Sequence, residues 1–162
     1  MALSVTSSLF QDGGRIPNSA VFNGFGHAGD NLSPDLAWSG APSGTKSFAI
    51  TCYDPDAPTT VGFWHWTLFD IPASVTSLPQ GAGAPGKNPP GSILGYTDFG
   101  TSAYGGPAPP PGPVHPYHFN VYALDIASVG LNAGSTAALL MFCMNGHVLD
   151  SGRLTGTYGG PS

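Results

Sequence analysis

Three stretches of the chain have the apolar patterns of long β-strands. Ser47–Asp54 and residues 63–71 are nearly continuous runs of β-branched and aromatic residues, and each ends before a proline. Such runs are typical of strands buried on both faces or nearly so. Residues 118–126 alternate instead, which predicts a strand with two different faces. Its first face carries Phe119, Val121 and Ala123, and its second carries His118, Asn120 and Tyr122.

Shorter patterns predict three further strands and a helix. The short strands are expected at residues 3–6, 37–39 and 154–158. Residues 137–144 are good helix formers, and Ser135 is a suitable cap for them. This helix is expected to be the longest, with Asn145-Gly146 ending it or the helix running on to Leu149.

The region from residue 81 to residue 112 is rich in glycine and proline and carries one candidate strand, at 93–98. Loops of this length in a compact domain are usually functional or disordered. The chain has 24 glycines and 17 prolines, yet only 8% of its residues are charged and 11% are aromatic. Disorder usually comes with high charge and few aromatics, so a folded domain with many tight turns is expected.

Strands come first and a helix comes late, which predicts a mainly β domain with helices at one end. The 162 residues suit one domain that can bury a substantial core, and no internal repeat or boundary divides them. We therefore expect a single domain spanning residues 1–162.

The charge pattern argues against two classes of partner. The net charge is −5, and the four cations, Arg15, Lys46, Lys87 and Arg153, are scattered. No basic stripe is available to neutralise a nucleic-acid backbone or anionic lipid. Any anion must therefore be held by a local site.

Two cysteines, Cys52 and Cys143, lie in apolar runs and are expected to be reduced and dispensable for the fold. Residues 1–10 lack the basic and apolar segments of a signal peptide. No stretch approaches the roughly 20 apolar residues of a membrane span. A cytoplasmic protein without a transmembrane segment is the expectation.

Two short segments carry the candidate chemistry. Asp54 ends one predicted strand, Asp56 follows it, and His65 lies near the start of the next. His115 and Tyr117 lie in a proline-rich stretch that leads into a third strand. If these strands are neighbours, both segments lie on loops at one end of a sheet, made rigid by prolines.

This cluster favours an anion site. Each imidazole can present a ring N–H to an oxyanion, while a carboxylate on the other ring nitrogen fixes the tautomer. Tyr117 adds an O–H donor, and Gly105 and Gly106 permit close approach of backbone N–H groups.

The two segments resemble the signatures of the phosphatidylethanolamine-binding proteins. Asp54–Pro58 with Trp64–Trp66 resembles the first signature, and residues 109–117 resemble the second. The likeness extends to residues 30–38 and to His147 with residues 156–158, and it is strongest to the bacterial, Raf kinase inhibitor-like branch.

The resemblance implies a β-sandwich with Greek-key topology and a pocket for phosphate-like anions at one end of the large sheet, with no metal or other cofactor. Family members usually carry Arg where Pro116 stands and often glycine where Ala108 stands, so the ligand or its affinity can differ here. Bacterial relatives also imply a homodimer. The implied ligand-binding residues are Asp54, Asp56, His65, Gly106, Pro109, Pro110, His115 and Tyr117.

Three classes of function follow from these residues. The first is binding of a small anion or phospholipid headgroup without turnover. The second is inhibition of a protein partner through the pocket or its rim. The third is an enzyme, either hydrolytic or with His65, His115 and Asp54 as a 2-His-1-carboxylate metal site. No Gly-x-Ser-x-Gly nucleophile motif is present, so binding is expected and catalytic residues are not.

Overall fold

The structure is a computed structural model, and it describes residues 2–160. It is mainly β, as predicted. Helical structure in these residues consists of a 3-10 turn at Asn18–Ala20 and helix α1 at Ala137–Met144. The strands are β1 Ser4–Thr6, β2 Leu36–Ser39, β3 Ser47–Asp54, β4 Phe63–Pro72, β5 Ser77–Leu78, β6 Ile93–Leu94, β7 Val114–Leu124 and β8 Val148–Gly159.

The strands form two antiparallel sheets. The smaller has the order β1-β2-β5 and the larger the order β6-β4-β3-β7-β8. Within the larger sheet, β7 returns to lie beside β3 after β4 and β6 have been added on the other side. This β7-β3-β4-β6 arrangement has the Greek-key order, so the predicted topology is confirmed.

Strand β3 lies in the middle of the large sheet, and both of its faces are buried. Phe48, Ile50 and Cys52 join the main core between the two sheets. Ala49 joins a second cluster, where the outer face of the large sheet packs on Leu140 and other residues of α1. The apolar run predicted a strand buried on both sides, and this layered packing is the reason for it.

Strand β7 begins earlier than the alternating pattern predicted. It starts at Val114 rather than residue 118, so His115 and Tyr117 belong to the sheet and not to a loop. Pro116 is tolerated because pairing of β7 with β3 begins only at His118, leaving β8 as the one neighbour at this level. A proline without an N–H is accommodated where a strand lacks a partner on one side.

The candidate strand at residues 93–98 shrinks to Ile93–Leu94. Gly95 N–H donates to the Thr67 carbonyl, and a Cβ on Gly95 would meet the Thr67 hydroxyl at 2.2 Å. The chain then turns away toward α1, where Tyr96 N–H bonds to Ser135. The prediction was therefore too long by four residues.

Helix α1 is capped by Thr136, not by Ser135. The Thr136 hydroxyl accepts from the Leu139 N–H at 3.2 Å, whereas the Ser135 hydroxyl accepts from Asn132 in the preceding turn. The helix ends at Met144, and Gly146, with φ +85°, reverses the chain into β8. Strand β8 consequently starts at Val148 rather than at residue 154.

Cys52 and Cys143 are free thiols on different elements, with Cys52 buried in β3. Between residues 2 and 160, no helix has the length and apolar character needed to cross a bilayer. The cytoplasmic location and the single-domain assignment stay predictions.

The helix cap yields a stability prediction. Replacing Thr136 by Ala should lower the free energy of unfolding by about 1 kcal/mol, because the Leu139 N–H loses its acceptor. Thr136→Ser keeps a hydroxyl and should stay close to the wild type. Urea unfolding measures both, and equal losses in the two variants would show that the cap contributes nothing.

Candidate functional site

A pocket of about 200 Å³ opens at the end of the large sheet where β3 stops and β4 and β7 begin. It combines the two sequence segments that were expected to meet. Its lining consists of Phe25, Asp54, Ala57, Pro58, Thr59, Phe63, His65, Phe99, Ala108, Pro109, Pro110, His115 and Tyr117.

Asp54 and His115 form a buried pair at this pocket. His115 Nδ1 lies 2.7 Å from Asp54 Oδ2, and the side chains are almost fully enclosed. Asp54 Oδ1 accepts the Asp56 backbone N–H at 2.8 Å. Because a carboxylate accepts, His115 carries its hydrogen on Nδ1, and Nε2 is left for a ligand.

His65 is held in a different way. Its Nδ1 lies 2.8 Å from the Gly105 carbonyl, and the Gly105 N–H donates back to the His65 carbonyl at 3.0 Å. Since a carbonyl can only accept, Nδ1 again carries the hydrogen. In the neutral ring Nε2 is therefore an acceptor, which differs from the expectation that both imidazoles donate to an anion.

Burial keeps the His65 ring neutral. It lowers the pKa of His65 from 6.5 to about 4, because the imidazolium would lose its hydration. The Gly105 carbonyl and the Asp54 carboxylate act in the opposite direction and offset only part of this effect.

Tyr117 lies between the two imidazoles. Its ring meets His65 edge-on with centroids 5.2 Å apart and stacks at 6.5 Å on His115. Burial raises the pKa of Tyr117 far above its usual range, and the charge of Asp54 adds to this. The phenol therefore stays protonated.

The proline-rich segment forms one wall, with Ala108, Pro109 and Pro110 against the pocket. His27 fixes this wall from behind, since its Nε2 donates to the Pro109 carbonyl at 3.0 Å. The wall is apolar toward the pocket, so it excludes water without offering competing donors.

Two candidate residues and one supporting glycine are not placed for a ligand. The Asp56 side chain is exposed and does not line the pocket, and its backbone N–H completes the turn at Asp54. The Gly106 N–H is bonded to Asn31, and the Gly105 N–H to His65. Gly106 is instead a packing requirement, because a Cβ there would meet the Ala20 carbonyl at 2.1 Å.

Sequence reasoning missed the aromatic part of the lining. Phe63 packs 4.9 Å from His65, and Phe99 lies 4.8 Å from Phe63. Phe25, with φ +53° and 75% exposed, stands at the pocket's mouth. Phe63 adjoins the first motif and offered a signal, but Phe25 and Phe99 lie in remote glycine-flanked loops.

The other histidines take structural positions. His118 points to the opposite face of β7, with Nδ1 2.9 Å from the Thr155 hydroxyl. His147 pairs with Asp125 at 2.8 Å, far along β7 from the pocket. Over residues 2–160, no three His, Cys, Asp or Glu side chains are placed to hold one metal ion.

The two antiparallel sheets and the imidazole-lined pocket at one end of the larger sheet place the chain in a class of mainly β domains. The sequence profile described as "Phosphatidylethanolamine-binding protein" matches residues 6–159. The chain belongs to this family, which confirms the resemblance drawn from the two motifs.

Individual relatives agree with this assignment. The UPF0098 protein YbhB of Escherichia coli is 45% identical over 157 residues, covering 96% of this chain and 99% of the relative. The crystal structure of E. coli YbcL, described as a new member of the mammalian PEBP family, superimposes with a TM-score of 0.95 at 44% identity, covering 98% and 99% of the chains. A homolog from Chlamydia trachomatis, CT736, gives 0.83 at 30% identity, with 97% of each chain covered.

The Asp54–His115 pair yields a second stability prediction. Asp54→Asn should lower the free energy of unfolding by about 1–3 kcal/mol, because an amide cannot accept from both Asp56 N–H and His115. Asp56→Asn is the matched control, since its exposed carboxylate should change stability by less than about 0.5 kcal/mol. Urea titration at pH 7 measures the difference, and similar values for the two variants would contradict the assigned roles.

The depressed pKa of His65 predicts a pH dependence of stability. The unfolded ring takes a proton near pH 6.5 and the folded ring only near 4, so the unfolded state binds more protons between these values. The contribution of the neutral His65 ring to stability is therefore fully present above pH 6.5. The free energy of unfolding then falls by on the order of 3 kcal/mol as the pH drops to 4.

His65→Asn retains a side-chain N–H for the Gly105 carbonyl but has no group that titrates in this range. Its free energy of unfolding should fall less than that of the wild type between pH 7 and 4. Parallel decreases in both proteins, measured by urea unfolding, would assign the titration to other groups.

Proposed function

We propose that this protein binds a small anion or phosphorylated headgroup in the pocket between His65 and His115, by binding rather than turnover. The observation that carries the proposal is that both imidazoles use Nδ1 within the protein, on Gly105 and on Asp54. Each ring therefore keeps Nε2 for a ligand.

The surroundings support a local anion site. The protein carries a net charge of −5, so its overall field repels anions rather than attracting them. Within the pocket, however, phenylalanine and proline side chains provide a largely apolar enclosure. Hydrogen bonds made to a ligand there are stronger than they would be in water.

The hydroxyls of the pocket favour binding over catalysis. Asp54 and His115 have the arrangement of a general base and its orienting group. Yet the Thr59 hydroxyl donates to the Gly62 carbonyl, and Tyr117 stays a phenol. Neither lining hydroxyl is therefore prepared to act as a nucleophile.

Inhibition of a protein partner is a second candidate, favoured by the exposed Phe25 ring at the rim of the pocket. Phe25 and Phe99 border both the pocket and an adjoining groove of about 930 Å³. An exposed phenylalanine beside a groove is typical of an interaction surface. Loss of partner capture in Phe25→Ala, with anion affinity retained, would support this function. The homodimer stays a prediction.

Calorimetric titration with inorganic phosphate and phosphoethanolamine at pH 7 tests the main proposal. Wild-type protein should bind one equivalent, and His115→Asn should bind roughly 10- to 150-fold more weakly, as expected for the loss of about 1.5–3 kcal/mol from a hydrogen bond to a charged group.

His118→Asn is the matched control, because His118 lies three residues along the same strand on its opposite face. It should bind like the wild type. Absence of binding by the wild type, or equal affinity in all three proteins, would refute the proposed site.

A further inference from the structure

The two imidazoles of the proposed site are backed by different acceptors, which gives them different chemistry. His115 is backed by the Asp54 carboxylate and His65 by the Gly105 carbonyl. A carboxylate stabilises an imidazolium by a full opposite charge, whereas a carbonyl offers only a dipole. The pocket is therefore asymmetric, although both rings look equivalent in the sequence.

His65 is fixed as an acceptor. The reciprocal bonds with Gly105 lock its Nδ1–H, and the ring packs edge-on against Phe99 and Tyr117. The acidic groups that act on it, Asp54 and Asp98, do not overcome its burial, and its pKa stays near 4. Above that pH a ligand atom facing Nε2 must carry a hydrogen.

His115 is the ring placed to act as the donor of the pair. With hydrogens on both ring nitrogens, Nδ1–H donates to Asp54, the carboxylate balances the charge of the ring, and the Nε2–H is directed to the ligand. Tyr117, which stacks on the His115 ring, stays uncharged. The charged side chain in contact with this ring is therefore the Asp54 carboxylate. A bound oxyanion therefore faces one hydrogen-bond donor, His115, and one acceptor, His65.

Building on the proposed function, we infer that the pocket selects an oxyacid that keeps one hydrogen, such as the monoanion of a phosphate monoester, over a phosphodiester. The P–OH donates to His65 Nε2 and a charged oxygen accepts from His115. A diester has no hydrogen to offer, so its oxygen would face the His65 lone pair. The 200 Å³ volume suits a small monoester.

A consequence is that monoester affinity should fall as pH rises. The second pKa of a phosphate monoester is about 6, so above this pH the free ligand must regain a proton in order to bind. Affinity should then decrease by at least about tenfold per pH unit between pH 7 and 8. The titratable groups near His65 are Asp54, Asp98, Tyr117 and, across the pocket, His115.

The test compares methyl phosphate with dimethyl phosphate by calorimetry at pH 5, with folding confirmed by circular dichroism. At this pH both ligands are mainly monoanions, and they differ in the single P–OH. Wild-type protein should prefer methyl phosphate by at least tenfold. His65→Asn keeps the bond to Gly105 but leaves no acceptor in place of Nε2, so the preference should disappear.

Nitrogen NMR of the methyl phosphate complex supplies a second readout, because His65 Nε2 should keep the chemical shift of an unprotonated ring nitrogen. Equal affinity for the two ligands, or a protonated His65 Nε2 in the complex, would overturn the inference while leaving anion binding intact. If neither ligand bound, the proposed function would fail together with it.

Discussion

The site is organised around a buried carboxylate that must be supplied with hydrogen-bond donors. Asp54 is 2% exposed at the end of the central strand, and a buried charge is stable only when donors surround it. One donor comes from Asp56, two residues on, and closes the turn after β3. The other comes from His115, 61 residues away, and joins β7 to β3 beyond their last paired residues, Tyr53 and His118. The closure of the turn and the orientation of one imidazole thus depend on the same carboxylate.

A second part of the site depends on a loop that is ordered without regular strands. Gly105 and Gly106 are held by N–H bonds to His65 and to the Asn31 side chain. Tyr104 donates its hydroxyl to the Ala20 carbonyl at 2.7 Å, so two distant loops are joined through a buried contact. Because Gly106 has no side chain, these backbones can approach closely. This packing places the acceptor that selects the tautomer of His65.

The sequence was sufficient for the fold and for the polar centre of the pocket because both leave local signals. Apolar runs located β3 and β4, and two motifs located Asp54, His65 and His115. The start of β7 was not predicted, because proline is typical of loops. Only the structure shows that Pro116 lies where β7 pairs with β8 and not with β3. Phe25 and the backing of His65 by Gly105 depend on contacts between remote loops, to which no periodicity corresponds.

One face of β7 contributes side chains to both the pocket and the core. His115 and Tyr117 line the pocket, and Phe119 and Val121 lie in the core. The contacts that shape the pocket span 40 residues from His65 to Gly105 and 61 from Asp54 to His115. Contacts between such distant residues are established slowly, after long loops have closed. A nascent chain therefore has no competent pocket until β7 has left the ribosome and joined the sheet. Within residues 2–160, no single hairpin contains both imidazoles with their acceptors, so recovery of the proposed ligand binding during refolding would report on assembly of the large sheet.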